Sequence, residues 1–240
     1  PNLTQKIILE DTIEEFNQIF KVINPNYNFV LNYSPTQEDL DKDEYAIDVY
    51  IGEINGNVGG QTKTYLEDRD KGFVGFEYVN CDIVLNQRYT NNGFYFSHIF
   101  RHEFMHTFGC GDAYLNENAT EDTIMQSLTT KMVGLYKIDV AFLDALYRYP
   151  NNTKTDQEIE SFIEHYNENN QYDYKNTKLR IINAMIEEMD ALVLKQEIQS
   201  STYLPSDISN ITEKLGTKLQ PQSMENITAF AEVFDTNQEK

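Results

Sequence analysis

Two cysteines, Cys81 and Cys110, are all that the 240 residues contain. That is too few for a disulfide-stapled scaffold, and it leaves one bridge or two free thiols open. No stretch approaches the roughly 18 consecutive apolar residues needed to span a bilayer. No charged-then-apolar leader opens the chain, which begins at Pro1 and is expected to have lost any export signal by trimming. Basic residues are scarce, with 19 Lys and Arg against 39 Asp and Glu and a formal charge of −20. A nucleic-acid partner is excluded on that balance, because affinity for a phosphate backbone depends on cations displacing condensed counterions. The same argument disfavours anionic membrane surfaces, whereas excess carboxylate suits a solvated protein, basic substrates or calcium.

What remains is the composition of a folded protein, 40% hydrophobic with 16 Tyr and 14 Phe and a mean hydropathy of −0.56. Apolar residues at 13, 16, 19, 20 and 23 predict a helix over 9–23. Runs rich in Val, Ile, Phe and Tyr predict strands over 27–33 and 45–54, then a strand pair over 72–78 and 81–86. A second helix is expected over 94–108, ending at Gly109, and a third over 137–149, stopped by Pro150. Beyond the polar stretch 151–155 strand signals vanish, and helices are expected near 155–169, 176–198, 206–215 and 222–234. The composition shift places a domain boundary at 150, with residues 1–150 and 151–240 as the two parts, and core packing is the expected fate of the apolar face Ile181 to Val193.

The second helix carries His102-Glu103-Phe104-Met105-His106. Residues four apart share a helix face, so two imidazoles can grip one ion, and Glu103, about 100° around the axis, can reach a water on it. This is the H-E-x-x-H zinc spacing. Gly109 follows, able to reverse the chain at positive φ, and then Asp112, which can return as a third ligand and leave the fourth tetrahedral position to water.

With Met125 thirteen residues further on, the segment HEFMHTFGCGD resembles the metzincin zinc peptidases, whose extended motif ends in a third His and is followed by a methionine turn. Asp in place of that His is found in the snapalysin group. The resemblance spans residues 9–149 in element order and 102–125 by motif. It implies an α+β fold with a twisted mixed sheet, an active-site helix and a C-terminal helix, followed here by an all-helical extension. It also implies a secreted or cell-surface zinc endopeptidase, with His102, His106 and Asp112 on Zn2+, Glu103 as general base, and Met125 forming an apolar floor. By the same resemblance a protein or peptide substrate lies along an exposed sheet edge, expected at Asp82, Ile83, Val84 and Leu85, with 127–136 as a pocket wall. The family's first strand has no clear place in residues 1–8.

Other readings stay open. In thermolysin-like peptidases the third ligand is a later Glu, for which Glu160 and Glu164 are available. A binding module with a structural zinc is another. Asp39, Asp41 and Asp43, and Asp68 with Asp70, alternate weakly like calcium loops but lack the later bidentate Glu. His98 reads as structural or surface, and His165 as surface.

Overall fold

The computed structural model describes residues 1–36, 46–68, 76–113, 123–126, 134–166 and 174–200. Among them the chain is mixed α+β, with five helices and a small three-stranded mixed sheet. A first compact unit covers Pro1–Thr177 and a second Lys178–Lys240.

Helix α1 runs Leu3–Ile23, six residues longer at its start than the periodicity predicts. The Asn2 side chain accepts from the Gln5 N–H at 2.8 Å and the Gln5 side chain accepts from the Asn2 N–H at 2.9 Å. This reciprocal capping satisfies two backbone donors and starts the helix where the apolar stripe is still thin. Residues 3–8 are therefore helical and cannot supply the family's first strand. Ile8, Phe16, Ile19, Phe20 and Ile23 form the buried face.

The strand expected over 27–33 is absent. Asn17 of α1 accepts from the Phe29 N–H at 2.7 Å and donates to the Phe29 carbonyl at 2.9 Å, doing the work of a neighbouring strand at that one residue. The aromatic signal belongs instead to packing, since Phe29 lies 5.3 Å from Phe20 and 5.6 Å from Phe104 between ring centroids.

Strand β1 is Ala46–Gly52, β2 is Gly60–Asp68 and β3 is Phe76–Asn86. The expected pair 72–78 and 81–86 is, over its described part, one continuous strand, with an irregularity in its pairing opposite Tyr65 and Leu66. The sheet order is β1-β3-β2, with β1 parallel and β2 antiparallel to β3. Cys81, Ile83 and Leu85 alternate into the core from β3.

Helix α2, Gly93–His106, is capped by Asn92, whose side chain accepts from the N–H groups of Phe94 and Tyr95. Phe100, Phe104 and Phe108 recur at four-residue spacing and enter an aromatic cluster with Phe16, Phe20, Phe29 and Tyr147. Helix α3 is Lys137–Tyr147 and α4 is Asp156–Glu164, the latter begun by a Thr155–Glu158 capping box. Residues 151–166 pack within the first unit, which runs to Thr177. The Tyr166 hydroxyl, donating to Glu15 of α1 at 2.8 Å, is one of the bonds that tie them in.

Helix α5, Tyr174–Ser200, continues into the second unit and buries Ile181 and Ile182, whereas Met189, Leu192 and Val193 are exposed rather than packed. The helices expected near 206–215 and 222–234 lie outside the described residues. No described helix is long and apolar enough to cross a membrane.

At the centre of the first unit Arg101 and Glu15 are both fully buried, with Nε donating to Oε2 at 2.8 Å. Glu15 Oε1 also accepts from the Leu135 N–H and the Tyr166 hydroxyl, each at 2.8 Å, and Arg101 Nη1 donates to Ser97 Oγ at 2.6 Å. Stripping one charge from such a pair leaves the other buried and uncompensated. Glu15→Gln, which keeps the shape, is expected to lower the unfolding free energy by about 3–5 kcal/mol, measured by equilibrium denaturation.

Candidate metal centre

The phase of α2 is set by its apolar ladder. His102 lies about 200° around the axis from Phe104, so burying the phenylalanines turns His98, His102 and His106 toward the other side. The helix then ends as the sequence predicts. Gly109 has φ +83°, its N–H donates to the His106 carbonyl at 3.0 Å, and the Cys110 N–H reaches back to Met105 O at 3.4 Å. That paired pattern is a Schellman ending, which a residue in the left-handed region completes. It brings Asp112 back over the two imidazoles.

The three side chains converge, their candidate ligand atoms lying within 4.8 Å of one another. Asp112 Oδ1 stands 3.0 Å from His102 Nε2 and 3.5 Å from His106 Nε2, and the two Nε2 atoms are 3.2 Å apart. Each ring's other nitrogen is engaged, His102 Nδ1 with the Ile124 carbonyl at 3.0 Å and His106 Nδ1 with the Cys110 carbonyl at 2.6 Å. A carbonyl only accepts, so both Nδ1 atoms carry the hydrogen and both neutral rings present an Nε2 lone pair. Three acceptors thus face one point. One proton can join only two of them, whereas a cation satisfies all three. In a tetrahedral zinc site with ligand bonds of about 2.0–2.1 Å, ligand atoms lie roughly 3.3 Å apart, which the observed 3.0, 3.2 and 3.5 Å bracket. The residues present fit a zinc ion.

Glu103 stands beside this group, 4% exposed. The Thr62 hydroxyl of β2 lies 2.7 Å from its Oε2 and 2.9 Å from its backbone carbonyl, so that one proton serves either acceptor. Burial pushes the Glu103 carboxyl above its ordinary pKa, opposed by the Thr62 hydrogen bond and the two imidazoles. The close approach of β2 to α2 requires glycine, since a Cβ at Gly60 would stand 2.5 Å from Glu103 Cγ and 2.7 Å from its Oε1. Neither Gly60 nor Thr62 is marked by the sequence, because GQTKTYLED lacks the β-branched apolar alternation that announces a strand.

Met125 is 2% exposed and lines the same cleft of about 820 Å³ as His102, His106, Asp112 and Glu103. The Ala113 N–H donates to its carbonyl at 2.9 Å, joining the turn to the chain next to Asp112. The expected substrate edge at Asp82, Ile83, Val84 and Leu85 is corrected. These residues sit in β3, the central strand, paired on both sides, and Ile83 and Leu85 are buried. Among the described residues the edge facing the cleft is β2, through Gly60, Gln61, Thr62 and Thr64.

Glu160 and Glu164 lie outside the His102, His106 and Asp112 group, on α4, where Glu164 is exposed and paired with Lys137 at 2.7 Å. Cys81 and Cys110 are both free, and burial raises the Cys110 thiol to about 11. Asp39, Asp41, Asp43 and Asp70 lie outside the described residues, as do 127–133 of the expected pocket wall. His165 is exposed at the end of α4.

His98 is buried, 3% exposed, with its ring 6.2 Å from that of His102 and its Nε2 without a hydrogen-bond partner. Burial first, then the neighbouring His102, lowers its pKa from 6.5 to about 4, against a backbone hydrogen bond to Gln126. The folded state therefore prefers the neutral ring, and the unfolded state binds the extra proton between those values. Stability contributed by the neutral ring is present above pH 6.5 and lost as pH falls toward 4, by on the order of 2–3 kcal/mol. In chelator-treated protein the plot of unfolding free energy against pH is expected to be flatter through that window for His98→Gln than for the parent.

No family model, no curated protein and no solved structure matches the chain.

Proposed function

We propose that this chain is a zinc-dependent endopeptidase of metzincin type, with His102, His106 and Asp112 holding the ion, Glu103 as general base and Met125 in the methionine turn. The observation that carries the reading is the convergence of two Nε2 lone pairs and one carboxylate oxygen beside a buried Glu. A purely structural site has no use for that carboxylate, and three protein ligands leave a tetrahedral ion one position for water. Bound there, zinc would supply a water of lowered pKa and a Lewis acid for the substrate carbonyl.

The remaining work falls to the chain. Glu103 takes the water's proton and later delivers it to the departing amine. Its raised affinity for a proton suits a group that must both accept and return one. Thr62 holds the carboxylate from the far wall at 2.7 Å. A peptide laid along the outer edge of β2 would exchange main-chain hydrogen bonds with that strand, leaving selectivity to pockets between side chains. A secreted or cell-surface site of action belongs to the same reading.

Glu103→Gln is expected to keep zinc, measured by metal content after dialysis, while kcat/KM on an unfolded protein substrate falls by about 10²–10⁴. Cleavage at the parental rate would overturn the assigned base, and a zinc-loaded parent that cleaves nothing would favour a binding module. Asp112→Ala should weaken zinc binding and Glu164→Ala should not. Gly60→Ala is expected to retain the metal but displace Glu103, lowering kcat by roughly 10². An unchanged kcat there would show that the carboxylate does not depend on the close strand.

A further inference from the structure

Asp139, in the first turn of α3, is 2% exposed and lies outside the cleft. Its Oδ2 accepts from the Ile124 N–H at 3.0 Å and from the Tyr136 N–H at 2.8 Å, and its Oδ1 accepts from the Thr123 hydroxyl. Thr123 Oγ in turn accepts from the Met125 N–H at 3.1 Å. Three of these four donors, the Thr123 hydroxyl and the N–H groups of Ile124 and Met125, belong to a turn of four described residues, Thr123 to Gln126. The turn faces the metal group with its carbonyls. Ile124 O takes the His102 Nδ1 hydrogen, and Met125 O takes the N–H of Ala113, the residue after Asp112.

We propose that Asp139 is a positioning residue for the metal centre, its buried carboxylate fixing the 123–126 turn so that this turn orients the His102 ring and the chain at Asp112. The inference rests on the zinc-peptidase reading. The Ile124 carbonyl shares its peptide plane with the Met125 N–H, which Thr123 Oγ holds at 3.1 Å, and Asp139 in turn holds that hydroxyl and the Ile124 N–H. A carbonyl free to swing by a rotation of its peptide plane would release the Nδ1 hydrogen of His102. The ring could then turn its lone pair away from the ion. Outer partners of this kind set ligand orientation and are commonly worth 10–100-fold in metal affinity.

Asp139→Asn tests this with little change of shape. Whichever way the amide lies, one acceptor becomes a donor facing a donor, since both oxygens of Asp139 are in use. Zinc dissociation constants are measured by competition with a chromophoric chelator for the parent, Asp139→Asn, Thr123→Val and, as control, Leu143→Ala. Leu143 is fully buried on the same helix but is not among the groups bonded to the turn. The expected result is a 10–100-fold weaker zinc affinity for Asp139→Asn and a smaller loss for Thr123→Val. Leu143→Ala is expected to bind as the parent does while melting at a lower temperature. Thr123→Val keeps the test alive should Asp139→Asn fail to fold. Parental affinity in both turn variants, or an equal loss in Leu143→Ala, overturns the proposal. Absence of zinc binding by the parent overturns instead the reading on which it rests.

Discussion

The rotation of α2 about its own axis is the constraint from which the site follows. One side of the helix is fixed by aromatic rings, with Phe104 edge-on to Phe16 at 4.7 Å and Phe108 stacked on Phe16 at 5.5 Å. Such pairs contribute roughly 0.5–1.5 kcal/mol each beyond burial, but rings of similar size tolerate small slips. Arg101 removes the slack. Its guanidinium reaches Glu15 on α1 in a fully buried pair, and an ion pair that adds little net stability against an apolar replacement still penalises any arrangement leaving either charge alone. With Arg101 turned inward, its neighbours His102 and His106 have only the cleft to face. A one-residue change in helix phase would bury an imidazole and strand a guanidinium together.

How much of this is legible in the sequence depends on how local each feature is. His102, Glu103, His106, Gly109 and Asp112 come together through one helical turn and one glycine of positive φ, and their mutual placement needs no knowledge of the rest of the chain. The α1 start was hidden by the weak apolar pattern of residues 3–8, because Asn2 and Gln5 begin the helix by hydrogen bonding. Residues 27–33 show the reverse fault. Their aromatic content is a demand for burial, which Phe29 meets against α1 and α2 with only Asn17 beside its backbone. The substrate-edge expectation failed because edge and centre are properties of pairing between distant segments. Cys81, Ile83 and Leu85 alternate as any half-buried strand does, whereas β2 is polar enough to pass for a loop and is nevertheless the strand that touches Glu103.

The two kinds of functional group are supported from different directions. The imidazoles are held by backbone carbonyls of Ile124 and Cys110, both on the chain that follows α2, so their orientation depends on how that chain is folded back. Glu103 is held from the opposite wall, by the Thr62 hydroxyl and by close packing against the bare backbone of Gly60. The orientation of the imidazoles and that of the Glu103 carboxylate can therefore be disturbed separately, a division that a site built on one loop would not offer.

Charge closes the account of why these particular groups coexist. With carbonyls rather than carboxylates as partners for Nδ1, the two rings are oriented without adding negative charge to a chain already at −20. The formal charge of the cluster is then that of Asp112 and an ionised Glu103 alone, two negative charges. A divalent cation would bring the sum to zero, the condition under which charged groups are least costly to hold away from water. Burial, with Asp112 adding to it, pushes the Glu103 pKa upward against the Thr62 hydrogen bond and the two imidazoles. In the proposed reading, a cation held by Asp112 and the two imidazoles would offset the carboxylate beside Glu103 and so ease the ionisation of the proposed base.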